Sequence, residues 1–158
     1  MQALSNGGSI VDATKQRIVE AVDSLRPVVQ DIAVALYEKP ELGLQEFFAL
    51  QKLTGVLKDA GFSIETGTGG LPTAFRARHG EGRPVIAFMG EYDALPEIGH
   101  GCGHNNLGAG ALAAAVAFRE YLKASGKEGT VRYYGCPGEE GGSGKAFMAR
   151  AGVFDDVD

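Results

Sequence analysis

The sequence predicts one α/β domain of 158 residues, a three-layer sandwich with a largely parallel central sheet. Two observations carry this prediction. Apolar residues at helical spacing alternate along the chain with short apolar runs that are typical of buried strands. Two glycine-rich loops each follow a predicted strand, which is where open α/β sheets place their ligands. Hydrophobic residues make up 44% and charged residues 22%, as in ordinary globular proteins.

The first half of the domain begins with a long amphipathic stripe. Residues 1–11 are expected to form a flexible leader and residues 12–158 the folded domain. Apolar side chains recur every three or four positions from Ile18 to Leu36, which predicts a helix. Pro27 lies inside this stripe and predicts a kink or a break just before it.

A second amphipathic helix is predicted over residues 44–60, and three short β signals follow it at 62–66, 74–79 and 85–89. The turn-rich stretch 79–84 between the last two strands suits a hairpin. Residues 85–89 are all apolar, as expected of a strand that is buried on both faces.

The second half continues the alternation of helices and strands. It contains an alanine-rich helix at about 108–124, a strand at 130–136 and a short helix at 145–150. One glycine-rich loop, 90–106, precedes the alanine-rich helix, and the other, 137–144, follows the strand at 130–136.

Composition excludes several classes of partner. Fifteen Lys and Arg against twenty Asp and Glu give a net charge of −5, and no basic block is present. This argues against nucleic acid and anionic membranes, which bind through clustered positive charge. The longest apolar stretch, 107–118, is too short to span a bilayer. Two cysteines without a secretory signal indicate a cytoplasmic protein with reduced thiols, metal ligands or core cysteines.

The first loop carries a candidate metal site. His100, Cys102 and His104 stand at alternate positions, so an extended segment would direct all three side chains to one point. Imidazole and thiolate favour Zn²⁺, with Mn²⁺ or Co²⁺ suitable once carboxylates join. The alternative is a glycine turn with chance histidines. Two of the three histidines and one of the two cysteines within five residues favour the metal.

Two acidic residues of the same loop have open interpretations. Asp93 follows a buried strand, and its carboxylate could orient a ligand imidazole or simply cap the strand end. Glu91 could bind a metal or face solvent.

The second loop contains the pair Glu139 and Glu140 at a strand end. A phosphate loop is excluded because Glu139 stands where that pattern needs glycine and Ala146 where it needs Ser or Thr. Paired glutamates suit a site in which one binds a metal and its neighbour takes a proton from metal-bound water. The alternative is a charged surface turn. Cys136 is interpreted as a small core residue rather than a second thiolate ligand.

Taken together, the motifs resemble those of one enzyme group. Along the chain they are Pro40-Glu41-Leu42-Gly43 with Glu46, Glu91-Tyr92-Asp93-Ala94-Leu95-Pro96, His100-Gly101-Cys102-Gly103-His104-Asn105, Gly129-Thr130-Val131 and Cys136-Pro137-Gly138-Glu139-Glu140-Gly141-Gly142. The sequence thereby resembles the metal-dependent amidohydrolases of the aminoacylase and carboxypeptidase clan. The resemblance is to the branch that contains indole-acetyl-amino-acid hydrolases, hippurate hydrolases and aminobenzoyl-glutamate utilization protein B.

The resemblance implies a zinc-peptidase-like catalytic domain with two divalent metal ions, Zn or Mn. The metal ligands that it implies in this chain are Cys102, His104 and Glu140. Glu139 would be the general base that activates a bridging water. Asp93 would support a ligand from behind, and His100 is held as an outer residue rather than a ligand.

The implied activity is hydrolysis of an amide bond in N-acyl amino acids, aminobenzoyl-glutamate-like conjugates or small dipeptides. Members of the family are longer, with an inserted dimerization or lid domain and two further histidine ligands. Residues 12–158 are therefore expected to be the N-terminal part of a catalytic domain that lacks the inserted domain and the C-terminal half. We expect this chain alone to be inactive and the full-length protein to be a homodimer. The alternative is a truncated, non-catalytic relative that binds metal or a partner.

Overall fold

A four-stranded sheet with helices on both faces makes up the structure, a computed structural model that describes residues 7–158. The helices are α1 (Gly7–Ser24), α2 (Arg26–Glu38), α3 (Phe47–Asp59), α4 (His104–Ser125), α5 (Glu139–Gly142) and α6 (Gly144–Arg150). The strands are β1 (Ser63–Thr66), β2 (Phe75–Glu81), β3 (Val85–Gly90) and β4 (Gly129–Gly135). A 3₁₀ turn, Thr68–Gly70, connects β1 to β2.

The predicted break in the first helical stripe is confirmed. α1 ends at Ser24, and α2 begins at Arg26 with Pro27 in its first turn, where proline needs no hydrogen-bond partner for its nitrogen. Residues 1–6 of the predicted leader lie outside the described residues, and α1 begins at Gly7 within the remainder of that leader.

The sheet order is β1-β2-β4-β3, so the predicted hairpin between β2 and β3 is wrong. Strand β4 lies between them, antiparallel to β2 and parallel to β3. All seven residues of β4 are buried, and the central position provides hydrogen-bond partners on both of its edges. The α/β class is confirmed, but the described sheet is mixed rather than largely parallel, because β1 and β2 also pair antiparallel.

Alternate residues of the sheet pack into two separate cores, as the three-layer prediction requires. Val131 and Tyr133 face the larger core, which helices α2, α3 and α4 cover. Tyr134 faces the smaller core on the opposite side, with Met148 of α6 and Phe154. Within the described residues, no helix is both long enough and apolar enough to cross a membrane.

The parallel pair β3 and β4 positions the two glycine-rich loops. Its register runs from Val85 opposite Thr130 to Gly90 opposite Gly135, so both strands end at the same edge of the sheet. The loops that follow β3 and β4 therefore start side by side, although 45 positions separate these two glycines in the sequence.

The two cysteines should differ in reactivity. Cys136 is fully buried in the smaller core, and this burial raises the pKa of its thiol to about 12. A raised pKa keeps the thiol protonated, so at pH 8 only about one molecule in ten thousand carries the reactive thiolate. Cys102 is partly exposed. We expect iodoacetamide to alkylate Cys102 alone in the native chain, and both cysteines in urea. Mass spectrometry of tryptic peptides measures this, and equal native labelling would contradict the burial.

Candidate metal centre

The first loop leaves the sheet after β3 and returns as α4. Glu91, Tyr92 and Asp93 follow the strand directly, and α4 begins at His104. Gly103 caps this helix with φ +88°, a backbone conformation that glycine adopts without steric cost. The sequence prediction started the helix near residue 108 and treated residues 100–104 as extended. The structure instead has turns there. Cys102 and His104 still come together, but not by alternation along a strand, and the predicted convergence is wrong for His100.

The carboxylate of Asp93 lies against the Nδ1 side of the His104 ring. The Nδ1 atom of His104 lies 3.1 Å from Asp93 Oδ1 and 3.1 Å from the carbonyl oxygen of Asp93. Asp93 is completely buried. A carboxylate on one ring nitrogen fixes the orientation of the imidazole and leaves the other nitrogen, Nε2, facing the loops.

The second loop meets the same carboxylate. The backbone N–H of Glu140 donates to Asp93 Oδ2 over 2.8 Å. Glu139 Oε2 lies 3.7 Å from His104 Nε2. Asp93 therefore joins the two loops, a geometry that favours the supporting carboxylate over the strand-end cap.

Glu91, left open by the sequence, faces this centre. Its Oε2 atom lies 3.0 Å from His104 Nε2, and its other oxygen forms an ion pair with Lys145 at the start of α6. Sequence reasoning assigned no role to Lys145. The one sequence feature that pointed to Lys145 was a superficial resemblance to a phosphate loop, and Glu139 excludes that type of loop.

The structure brings two groups of potential ligands together. The ligand atoms of Cys102, His104 and Glu140 lie within 4.8 Å of one another, and so do those of Glu91, His104 and Glu139. Carboxylates this close repel one another unless a cation lies between them. Imidazole, thiolate and carboxylate together form a donor set that suits Zn²⁺ or Mn²⁺, so the residues fit a divalent metal.

His100 lies apart from both groups among the described residues. The residue lies in the same loop as Cys102, and its side chain is buried, with 6% exposed. Burial, followed by the charge of nearby His104, lowers the pKa of His100 below its ordinary value. Its place outside both groups is consistent with the predicted outer position.

This combination of fold and side chains is typical of the catalytic domains of metal-dependent hydrolases. Residues 87–158 match the sequence model of a family described as peptidase family M20/M25/M40. The resemblance found in the sequence is thereby confirmed.

Two curated relatives match most of this chain. One is a component of the p-aminobenzoyl-glutamate hydrolase of Escherichia coli K12, 48% identical over 158 aligned positions that cover 89% of this chain and 33% of that protein. The other is mouse Xaa-Arg dipeptidase, 33% identical over 94% of this chain and 37% of that protein. The chain thus spans about a third of the length of these relatives.

Solved structures agree on the fold. The Bacillus subtilis YXEP protein, described as a dinuclear metal binding peptidase of the M20 family, superposes with a TM-score of 0.74 at 26% identity, over 86% of this chain and 42% of its own. An aminobenzoyl-glutamate utilization protein from Klebsiella pneumoniae superposes with a TM-score of 0.72 at 22% identity, over 90% and 44% of the two chains. The fold expected for a portion of a zinc-peptidase-like catalytic domain is thereby confirmed.

Replacing Asp93 should destabilise the domain. Asp93→Ala removes a buried carboxylate, leaves the Glu140 N–H without its acceptor and leaves His104 Nδ1 with only the backbone carbonyl of residue 93, so we expect a loss of about 3 kcal/mol in the free energy of unfolding. Urea denaturation of the metal-free chain measures it. The control is Asp59→Ala at the exposed end of α3, which should change stability by less than about 0.5 kcal/mol. Equal losses in the two variants would contradict the role of Asp93.

Proposed function

We propose that this chain supplies the N-terminal part of the catalytic domain of a metal-dependent amidohydrolase. The substrate would contain an amide bond next to a free carboxylate, as in N-acyl amino acids, aminobenzoyl-glutamate-like conjugates or small dipeptides. One observation supports this most strongly. The Glu139–Glu140 pair and the Cys102–His104 pair come from loops that are distant in sequence, and they meet at a single buried carboxylate, Asp93.

Cys102, His104 and Glu140 would hold metal in this chain. Two divalent ions, Zn or Mn, would polarise the scissile carbonyl and lower the pKa of a shared water. Asp93 would keep His104 in the tautomer that presents Nε2. By resemblance, two further histidine ligands would come from residues outside this chain.

Glu139 would be the general base. Its side chain is 42% exposed and lies beside His104 Nε2, so it can reach a water at the open side of the centre. Glu139 would take a proton from this water and pass it to the leaving amine. The backbone N–H of Glu140 is hydrogen-bonded to Asp93, and this bond would hold the adjacent Glu139 in position.

The names of the relatives support a small amide substrate. One is named for the hydrolysis of p-aminobenzoyl-glutamate and another as a dipeptidase. By resemblance, the full-length protein would be a homodimer, and we propose separately that it is cytoplasmic. The 158 residues alone would turn over little substrate, because part of the ligand set lies elsewhere.

Metal binding is the first test of the centre. After loading with Zn²⁺ or Mn²⁺, elemental analysis of the purified chain should find close to one ion per molecule. Cys102→Ala and His104→Ala should each abolish it, because each removes a ligand. Cys136→Ala is the matched control and should retain the ion, since Cys136 lies in the smaller core. Ion content that is unchanged in the first two variants would contradict the ligand assignment.

Turnover tests the general base. In the full-length protein, Glu139→Gln should lower kcat for p-aminobenzoyl-glutamate about 10²- to 10⁴-fold without loss of bound metal, because proton transfer to a positioned carboxylate contributes that much. Release of p-aminobenzoate measures the rate. Glu81→Gln, at the far end of β2, is the control and should leave kcat unchanged. Substantial metal-dependent turnover by the 158-residue chain alone would contradict its expected inactivity.

A further inference from the structure

We propose that Glu46 is a positioning residue that fixes the loop carrying Glu139 and Glu140. Its side chain is completely buried just before α3, outside both potential ligand groups. Oε1 accepts a hydrogen bond from the backbone N–H of Gly138 over 2.7 Å, and Oε2 accepts one from Thr73 Oγ1 over 2.7 Å. Gly138 directly precedes the pair of glutamates.

Gly138 is the point at which the second loop turns. Its φ is +60°, a left-handed conformation that favours glycine, and the residue is buried. A buried backbone N–H without an acceptor is costly, and Glu46 supplies the acceptor. The direction in which the chain enters Glu139 therefore depends on this hydrogen bond.

The segment that carries Glu46 contacts both loops. Leu42 forms a β-bridge with Ala94 of the first loop, and the Ala94 N–H donates to the Glu41 carbonyl over 2.8 Å. On the other side, a Cβ atom at Gly43 would lie only 3.0 Å from the Gly138 Cα. Residues 41–46 thus connect the two loops, and Glu46, the last of them, accepts the hydrogen bond from Gly138.

Thr73 extends the link to the first loop. Its hydroxyl donates to Glu46, and its carbonyl oxygen accepts a hydrogen bond of 2.6 Å from the buried hydroxyl of Tyr92. Tyr92 lies between Glu91 and Asp93 in the chain. The buried series Tyr92, Thr73, Glu46 and Gly138 therefore connects the loops independently of Asp93.

The carboxyl group of Glu46 is explained better by positioning of the second loop than by stabilisation of the core. An apolar side chain would fill a buried site at lower desolvation cost than a carboxyl group. Such a side chain could not accept a hydrogen bond from Gly138. What Glu46 adds is a fixed direction for the loop, and its effect on metal rests on the proposed function.

Co²⁺ binding to the 158-residue chain tests this effect, because the thiolate of Cys102 would give a charge-transfer band. Glu46→Ala should weaken Co²⁺ binding about 10- to 100-fold, as expected when a group behind a ligand is removed. Glu46→Gln keeps an acceptor for Gly138 and should restore the affinity to within about threefold. Thr130→Val is the matched control. It removes a buried hydroxyl that donates to the Gly82 carbonyl at the end of β4 opposite the two loops, so it should lower stability without lowering affinity.

Amide hydrogen exchange of the metal-free chain separates the inference from the proposed function. Glu46→Ala should speed exchange at Gly138 at least about tenfold relative to the core of α3, and Thr130→Val should not. If Glu46→Ala fails to fold, Thr73→Val, which removes one hydrogen bond to Glu46, should weaken Co²⁺ binding about fivefold. Unchanged exchange at Gly138, or equal losses of affinity in Glu46→Ala and Thr130→Val, would overturn the inference. A wild-type chain that binds no Co²⁺ would overturn the proposed metal centre, and the exchange result would still decide the role of Glu46.

Discussion

Parallel pairing of β3 with β4 is the constraint on which the candidate centre depends. Because Gly90 lies opposite Gly135, the two strands deliver their following loops to one edge of the sheet. An antiparallel pairing of the same strands would send the Glu139–Glu140 loop to the opposite edge, away from His104. The central, fully buried position of β4 holds this pairing in place, since β2 occupies its other edge. Helix packing against the strands then preserves a geometry that the sheet has already determined.

Within that geometry, Asp93 converts two adjacent loops into one centre. One of its oxygens lies at His104 Nδ1, and the other accepts from the Glu140 N–H. A completely buried carboxylate is costly unless its oxygens find donors, and here each oxygen finds one in a different loop. Displacement of either loop would leave part of this charge without a partner. The two loops are therefore coupled energetically through a residue that stands outside both potential ligand groups.

Local features of the fold were predictable from the sequence, and long-range pairings were not. The break before Pro27 and the position of Glu139 and Glu140 at a strand end depend on neighbouring residues, and both are present. The false hairpin across residues 79–84 arose because a short polar turn is compatible with either adjacent or separated strands. The start of α4 was predicted late because its first three residues, His104-Asn105-Asn106, are polar and show no apolar periodicity. The contact of Glu91 with Lys145, 54 positions apart, gave no signal in the sequence at all.

The acidic residues around the centre divide by their hydrogen-bond partners. Asp93 and Glu46 are completely buried and accept from backbone N–H groups of the second loop, at Glu140 and Gly138. Glu91 and Glu139 instead direct a carboxylate oxygen toward His104 Nε2. A carboxylate that is already satisfied by backbone donors is a poor candidate for ligation, because a metal would have to displace those bonds. Acidic residues around the centre therefore fall into two groups, those that hold the second loop and those that face His104. Burial and backbone contacts, rather than the identity of the residue, decide which carboxylates fix the loops and which remain available for chemistry.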